Sequence, residues 1–291
     1  MRKSKRNMII TECPREMIQG MRNFIPTELK IKYLNTLLRV GFDTLDFGSF
    51  VSPKAVPQMK DIFEVVEGLY LSDTNTKLSG LVANQKGFEN LSKFDDIKIV
   101  EFPFSISNTF LKLNINSNID GSISILDDII DHNKHHNKTI LVYISMGFGN
   151  PYGDDWNIDI LLDYIDVLNE IDINDINISD TIGIASPEVI KKVFKSAIKE
   201  YPDINFGLHL HTEKENWYNK IKAAYEAGVR IFDGVIGGYG GCPTTGYELV
   251  GNMNTNNLLD FCYDNNVNLK LNKMWYDKSV SLSREIIFNY S

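Results

Sequence analysis

Eight short runs rich in Ile, Val, Leu, Phe and Tyr recur along this chain, and their spacing limits its possible folds more than any other feature. They read as strands at Met8–Glu12, Thr44–Phe47, Lys77–Ala83, Ile97–Phe102, Ile140–Ser145, Asp175–Ile178, Asn205–His211 and Arg230–Val235. Most look like strands buried on both faces. Their starts lie roughly 32 residues apart, the length of one strand–helix unit, and eight units use about 250 of the 291 residues.

The segments between them carry helix signals. Pro26-Thr27 opens one helix, with Ile31, Leu34 and Leu38 on one face and Gly41 where a C-terminal cap belongs. Ser186-Pro187-Glu188 supplies an N-cap, a first-turn proline and an acid matched to the helix dipole, and Pro202 stops that helix. Trp217, Ile221 and Ala224 mark another, ended by Gly228. A doubly wound open sheet would announce a phosphate site by a glycine-rich turn after its first strand, and here that turn is Cys13-Pro14-Arg15-Glu16. The expected fold is α/β, a single (β/α)8 TIM barrel over 8–291 with a C-terminal helical extension, preceded by a basic arm at 1–7.

Composition removes several classes of function. A net charge of −8 argues against nucleic acid as a partner, and no apolar run approaches a membrane span. Three cysteines without CxxC spacing make no disulfide framework, and the basic arm is followed by no signal core, so a cytoplasmic protein is expected. The sequence offers nothing on assembly beyond its compatibility with a homodimer.

In such a barrel the chemistry gathers at the C-terminal ends of the strands. The most specific group there is His209-Leu210-His211. Five histidines in the chain would give an HxH by chance only about 0.09 times. Side chains two apart on a strand point the same way, so both imidazoles can face one ion. With a carboxylate and an amide oxygen they make a mixed N/O set suited to Mg²⁺ or Mn²⁺, and less to Zn²⁺, Fe²⁺ or Co²⁺. His132, His135 and His136 fall at the polar end of an outer helix and read as surface residues. Gly237–Pro243 is glycine-rich enough to approach a ligand, with Cys242 either a general acid or base or a small buried residue. Arg15 can stabilise an enolate or carboxylate oxygen, form a salt bridge to Asp46, or do both.

Taken together, Glu12-Cys13-Pro14-Arg15-Glu16-Met17-Ile18-Gln19, the run SFVSPKAVPQM at 49–59, Ser179-Asp180-Thr181-Ile182-Gly183, His209-x-His211, Gly240-Gly241-Cys242-Pro243 and Gly251-Asn252 resemble the 3-hydroxy-3-methylglutaryl-CoA lyase family. That family lies within a superfamily of metal-dependent lyases and Claisen-condensing barrels. The resemblance implies a carbon–carbon lyase that cleaves an acyl-CoA with a tertiary hydroxyl to acetyl-CoA and acetoacetate, as in leucine degradation and ketone-body metabolism. It implies Glu16, His209, His211 and Asn252 as ligands of a divalent metal, and Arg15, Asp46, Asp180, His209 and Cys242 as catalytic residues. A base, His209 or Asp180, would take the hydroxyl proton, and Cys242 would return a proton to the carbanion. Arg22, Lys54 and Lys112 are the cations expected to hold coenzyme A. Two further readings are a related acyl-CoA lyase or condensing enzyme with another acyl group, and a non-catalytic barrel. Three positions depart from the family pattern: Glu16 replaces Asp, Asp46 replaces Glu, and Asn256 replaces an acid. A longer acid beside a shorter one, both next to Arg15, can compensate each other; a sharp gain of activity in Glu16→Asp would refute this hypothesis.

Overall fold

Each of the eight runs is a strand, and in the computed structural model all eight pair in parallel in chain order, the last closing on the first. Residues 8–212, 215–241 and 250–291 are described. The strands are β1 (Ile9–Glu12), β2 (Thr44–Ser49), β3 (Lys77–Leu81), β4 (Ile97–Ser105), β5 (Thr139–Ser145), β6 (Asp175–Asp180), β7 (Asn205–Leu210) and β8 (Ile231–Gly234). Helices α1 (Pro14–Gln19) and α2 (Thr27–Leu38) follow β1, α3 (Ile62–Glu67) follows β2, and α4 (Gln85–Leu91) follows β3. The outer layer continues with α5 (Asn108–Ile115), α6 (Ile119–Asn133), α7 (Ile158–Glu170), α8 (Pro187–Glu200), α9 (Trp217–Ala227) and α10 (Thr255–Asp264). A last helix, α11 (Lys273–Tyr290), packs beside α2, where Asn272 N–H donates to Val40 O and Arg39 lies over the Trp275 ring. The chain is therefore a (β/α)8 barrel.

Local chemistry sets the helix ends as the sequence indicated. Ser186 Oγ accepts from Val189 N–H with Pro187 in the first turn of α8. Gly228, at φ +117°, closes α9 in the left-handed region that a β-carbon disfavours. Among the described residues, no helix is long and apolar enough to cross a membrane.

The barrel interior differs from the expectation of strands apolar on both faces. Val100, Phe102 and Phe104 of β4, Val142 and Ile144 of β5, Ile176 and Ile178 of β6, and Leu208 and Leu210 of β7 are buried on one side of their strands. Period-two alternation turns the intervening residues inward, and apart from Pro103 these are polar: Glu101, Tyr143, Asn177, Ser179 and His209, joined by Asp46 and Asp233. The apolar core therefore lies between strands and helices, and the axis carries ionisable groups.

Beyond the strand ends, residues 251–254 cross the mouth. His211 and Asn252 form an isolated antiparallel bridge, Thr212 N–H donates to Gly251 O, and Val235 N–H donates to Met253 O. Glu12 faces outward and anchors this crossing: its Oε1 accepts from Ile236 N–H (2.8 Å) and its Oε2 from Thr255 Oγ1 (2.5 Å). Burial pushes the Glu12 carboxyl up to about 8, against the pull of the Thr255 and Ile236 hydrogen bonds. The folded state thus keeps a proton that the unfolded chain releases above its own, lower carboxyl range, so stability from this group falls as pH rises toward 8. In Glu12→Gln that slope should vanish: between pH 5 and 8 the wild-type melting temperature falls more than the variant's, as differential scanning calorimetry at both pH values would show.

Candidate active site

The site forms where the short helix α1 meets the ends of β7 and β8. Arg15 and Glu16 leave β1 on α1, whose six residues start at Pro14, so both side chains sit at the barrel mouth. Arg15 is buried, and its Nε donates to both oxygens of Asp46, at 2.9 Å each. Its Nη2 lies 2.8 Å from Asp46 Oδ2 and 3.0 Å from Glu16 Oε1, while Nη1 donates to Gln19 Oε1 at 3.2 Å. Glu16 Oε2 in turn accepts from Gln19 Nε2 at 3.1 Å. Burial works against the Glu16 anion, but the Arg15 charge outweighs it and holds this carboxyl below its usual range. Burial raises Asp46 to about 6 despite its bonds to Arg15.

The two histidines stand with ring centroids 5.2 Å apart. His209 Nδ1 contacts Asp233 Oδ2 at 3.0 Å and His211 Nδ1 contacts Val250 O at 3.1 Å. A carbonyl only accepts, as does an ionised carboxylate, so each Nδ1 carries the hydrogen and each neutral ring has its lone pair on Nε2. Burial, then the neighbouring His209, lowers His211 to about 4, which keeps it neutral and able to ligate. For His209, burial opposes the charged form, yet the Asp233 hydrogen bond and charge prevail and raise it. Asp233 also accepts from Asn177 Nδ2 at 3.0 Å, and the Tyr143 ring meets the His209 ring edge-on.

Asn252 supplies a third donor atom. Its Nδ2 donates to Tyr239 O at 3.0 Å, which fixes the amide orientation, and its Oδ1 is buried without a partner among the described residues. An orphaned buried acceptor is costly unless a ligand meets it. Two imidazole lone pairs and one amide oxygen therefore fit a divalent cation. Among the described residues, no group of three His, Cys, Asp or Glu side chains is arranged to hold a metal. Both Glu16 oxygens are engaged instead, Oε1 by Arg15 and Oε2 by Gln19. Gly240 packs between these parts. At φ +100°, a β-carbon there would lie 2.7 Å from Glu16 O and 2.9 Å from Asn252 Nδ2. Gly240→Ala should accordingly lower kcat/KM at least about tenfold and lower the melting temperature as well, because the backbone must shift to admit the β-carbon; a steady-state assay beside a thermal melt checks both.

Several other residues are placed elsewhere or lie beyond view. Asn177 and Ser179 take the inward positions of β6, and Asp180 lies in register with Leu210. Its Oδ2 accepts from Ala185 N–H (3.1 Å) and Lys220 Nζ (3.2 Å), which ties it to the β6–α8 loop, while its Oδ1 is buried with no partner among the described residues. Asn256 is held to α11 by the Tyr276 hydroxyl. Arg22, Lys54 and Lys112 are exposed, on the segments that follow β1, β2 and β4. Cys242 and the arm at 1–7 lie outside the described residues. Reading the sequence missed Glu101, Tyr143, Asn177 and Asp233; the available signal was a polar residue at the inward phase of each strand.

The HMGL-like family model matches residues 8–275. Hydroxymethylglutaryl-CoA lyase YngG of Bacillus subtilis is 32% identical over 230 residues, covering 79% of this chain and 76% of its own. The human mitochondrial hydroxymethylglutaryl-CoA lyase is 30% identical, over 82% of this chain and 73% of its own. Among solved structures, an HMG-CoA lyase of Acinetobacter baumannii in complex with coenzyme A and 3-methylmalate superposes with a TM-score of 0.88. It is 26% identical, covering 98% of this chain and 92% of that one.

Proposed function

This chain belongs to the HMGL-like family, and from that membership and the geometry of its site we propose that it is a lyase cleaving 3-hydroxy-3-methylglutaryl-CoA to acetyl-CoA and acetoacetate. The observation that carries this reading is the juxtaposition at one barrel mouth of two histidine rings, each held at Nδ1, and the Asn252 Oδ1, which has no partner among the described residues, with a buried arginine. His211, Asn252 and Glu16, with His209 when its Nε2 is free, would hold a divalent cation, Mg²⁺ or Mn²⁺ by the preponderance of nitrogen and oxygen donors. When bound, such an ion polarises substrate oxygens and lowers the pKa of a hydroxyl.

The protein's own groups do the rest. His209 combines a bare Nε2 with a carboxylate behind its Nδ1–H, the arrangement of an oriented base, and it takes the tertiary hydroxyl proton while that Nε2 is not ligating. Breaking the carbon–carbon bond leaves acetoacetate and an enolate of acetyl-CoA. The Arg15 guanidinium, held by Asp46, stabilises the enolate oxygen in a site removed from water. Cys242 then protonates the carbon, and the net reaction only moves one proton from oxygen to carbon. Arg22, Lys54 and Lys112 are offered as the cations that meet the coenzyme A phosphates, and the cytoplasm as the compartment. Incubating the protein and a divalent metal with a panel of 3-hydroxyacyl-CoA esters, with mass-spectrometric detection of products, tests the acyl group. The 3-hydroxy-3-methylglutaryl ester should be cleaved fastest, and preference for another ester would replace this substrate with that one.

A further inference from the structure

Glu101 of β4 is fully buried at the barrel axis, and neither of its carboxyl oxygens has a hydrogen-bond partner among the described residues. Its Oε2 stands 3.8 Å from Arg15 Nη2, the same nitrogen that Asp46 holds at 2.8 Å and Glu16 at 3.0 Å. Asp46 reaches the guanidinium from β2 and Glu101 from β4, so the group is bracketed from two strands. A planar fork gripped at one edge can still swing about that edge, whereas a second polar group across from the first fixes its direction.

Resting on the lyase reading above, we propose that Glu101 is a positioning residue for Arg15, a second buried carboxyl that fixes the direction in which the guanidinium faces the substrate. Charge supports the arrangement. Two buried carboxyls sharing one guanidinium do not both ionise readily. Burial, then the Asp46 charge, raises Glu101 against the pull of Arg15, so of the two carboxyls it is Glu101 that favours the neutral form. A neutral partner steers Arg15 without cancelling the positive charge that an enolate needs. Glu101 also lies within an otherwise apolar run, Ile99-Val100-Glu101-Phe102, where a charge-bearing side chain has no packing reason to stand.

The test compares Glu101→Met, close in volume but apolar, with Glu101→Gln, neutral and polar, and adds Glu101→Leu should the methionine variant misfold. In Glu101→Met or Glu101→Leu, kcat should fall about tenfold or more with KM within about twofold, because Arg15 is misdirected in the transition state and not in binding. Glu101→Gln should restore most of the loss. Melting temperatures should equal or exceed that of the wild type, since an unpaired buried acid has been removed. The Arg15 Nε–H signal in ¹⁵N-arginine-labelled protein, assigned by its loss in Arg15→Lys, gives a readout without substrate. It should be sharp and slowly exchanging in wild type and Glu101→Gln, and broadened in the apolar variants. Unchanged kcat and an unchanged Arg15 signal in the apolar variants would overturn the proposal. So would Glu101→Gln behaving like Glu101→Met, or a fall in kcat accompanied by an equal loss of stability. A wild type that cleaves no acyl-CoA but shows the expected Arg15 signals would defeat the lyase reading alone.

Discussion

Replacing Arg15 by Gln should reduce kcat by about 10³-fold, the scale on which a donor that stabilises a developing oxyanion acts. The same change removes the cation beside Asp46, Glu16 and Glu101, which stand 2.8, 3.0 and 3.8 Å from Arg15 Nη2. Breaking a buried ion pair by deleting one partner costs about 3–5 kcal/mol. Asp46 and Glu16, which Arg15 holds toward the ionised form, respond by retaining protons in the folded state. A carboxyl whose folded pKa lies above its unfolded value leaves stability intact below the unfolded pKa and lowers it as pH rises. The variant's deficit should therefore be small near pH 4 and large near pH 8, as urea unfolding at the two pH values would reveal. Arg15→Lys should recover part of the stability and little of the activity, because an ammonium cannot span Asp46 and Glu16 as the fork does. A deficit that is the same at every pH would mean these carboxyls do not depend on Arg15.

The second large effect concerns the histidine pair. His211→Ala removes a neutral imidazole whose Nδ1–H is fixed on Val250 O. It should lower activity at least about 100-fold and shift metal activation to much higher concentrations, with the loss only partly recovered at saturating metal. Asp233→Asn acts one step back. It leaves His209 in place but can present an amide N–H where the carboxylate accepted, which frees the ring to turn. The expected cost is about 10–100-fold, and excess metal should recover more of it than in His211→Ala. Activation curves for Mn²⁺ in both variants, with circular dichroism to verify folding, separate the two. Equal curves for wild type and His211→Ala would remove His211 from the ligand set.

How much of this was legible in the sequence follows from the geometry of strands. The barrel was legible because the outward residues of each strand, such as Val100, Phe102 and Phe104, pack under the helices and produce apolar runs at even spacing. The same strong signal concealed the interior. Reading a run as buried on both faces passes over Glu101, Tyr143 and Asn177, each standing between apolar neighbours with its side chain on the axis. Strand ends were read short for the same reason: Ser49, Ser105 and Asp180 look like loop residues yet are paired in the sheet.

Candidate site residues divide along similar lines. His209 and His211 stand out because two rare residues share one strand phase, and Arg15 because it directly follows the end of β1, with Asp46 as an acid inside the apolar β2. Asp180 is paired within β6 one residue past the inward Ser179, so its side chain leaves the strand on the other face, which the motif alone does not show. The pairing of Glu16 with Asp46 gains a physical footing, since Nη2 of Arg15 contacts both, but Glu101 shows that three acids and not two surround that nitrogen. The net charge of −8 is partly explained by acids gathered on the axis, and it leaves coenzyme A to whatever cations line the mouth locally.

The most direct test of the central claim strips the protein of metal with a chelator, adds back Mg²⁺, Mn²⁺ or Co²⁺ one at a time, and follows 3-hydroxy-3-methylglutaryl-CoA. The expected result is equimolar release of acetyl-CoA and acetoacetate that returns with at least one of these ions and is absent from His211→Ala. No release with any of the three, or undiminished release in the presence of the chelator, would contradict it.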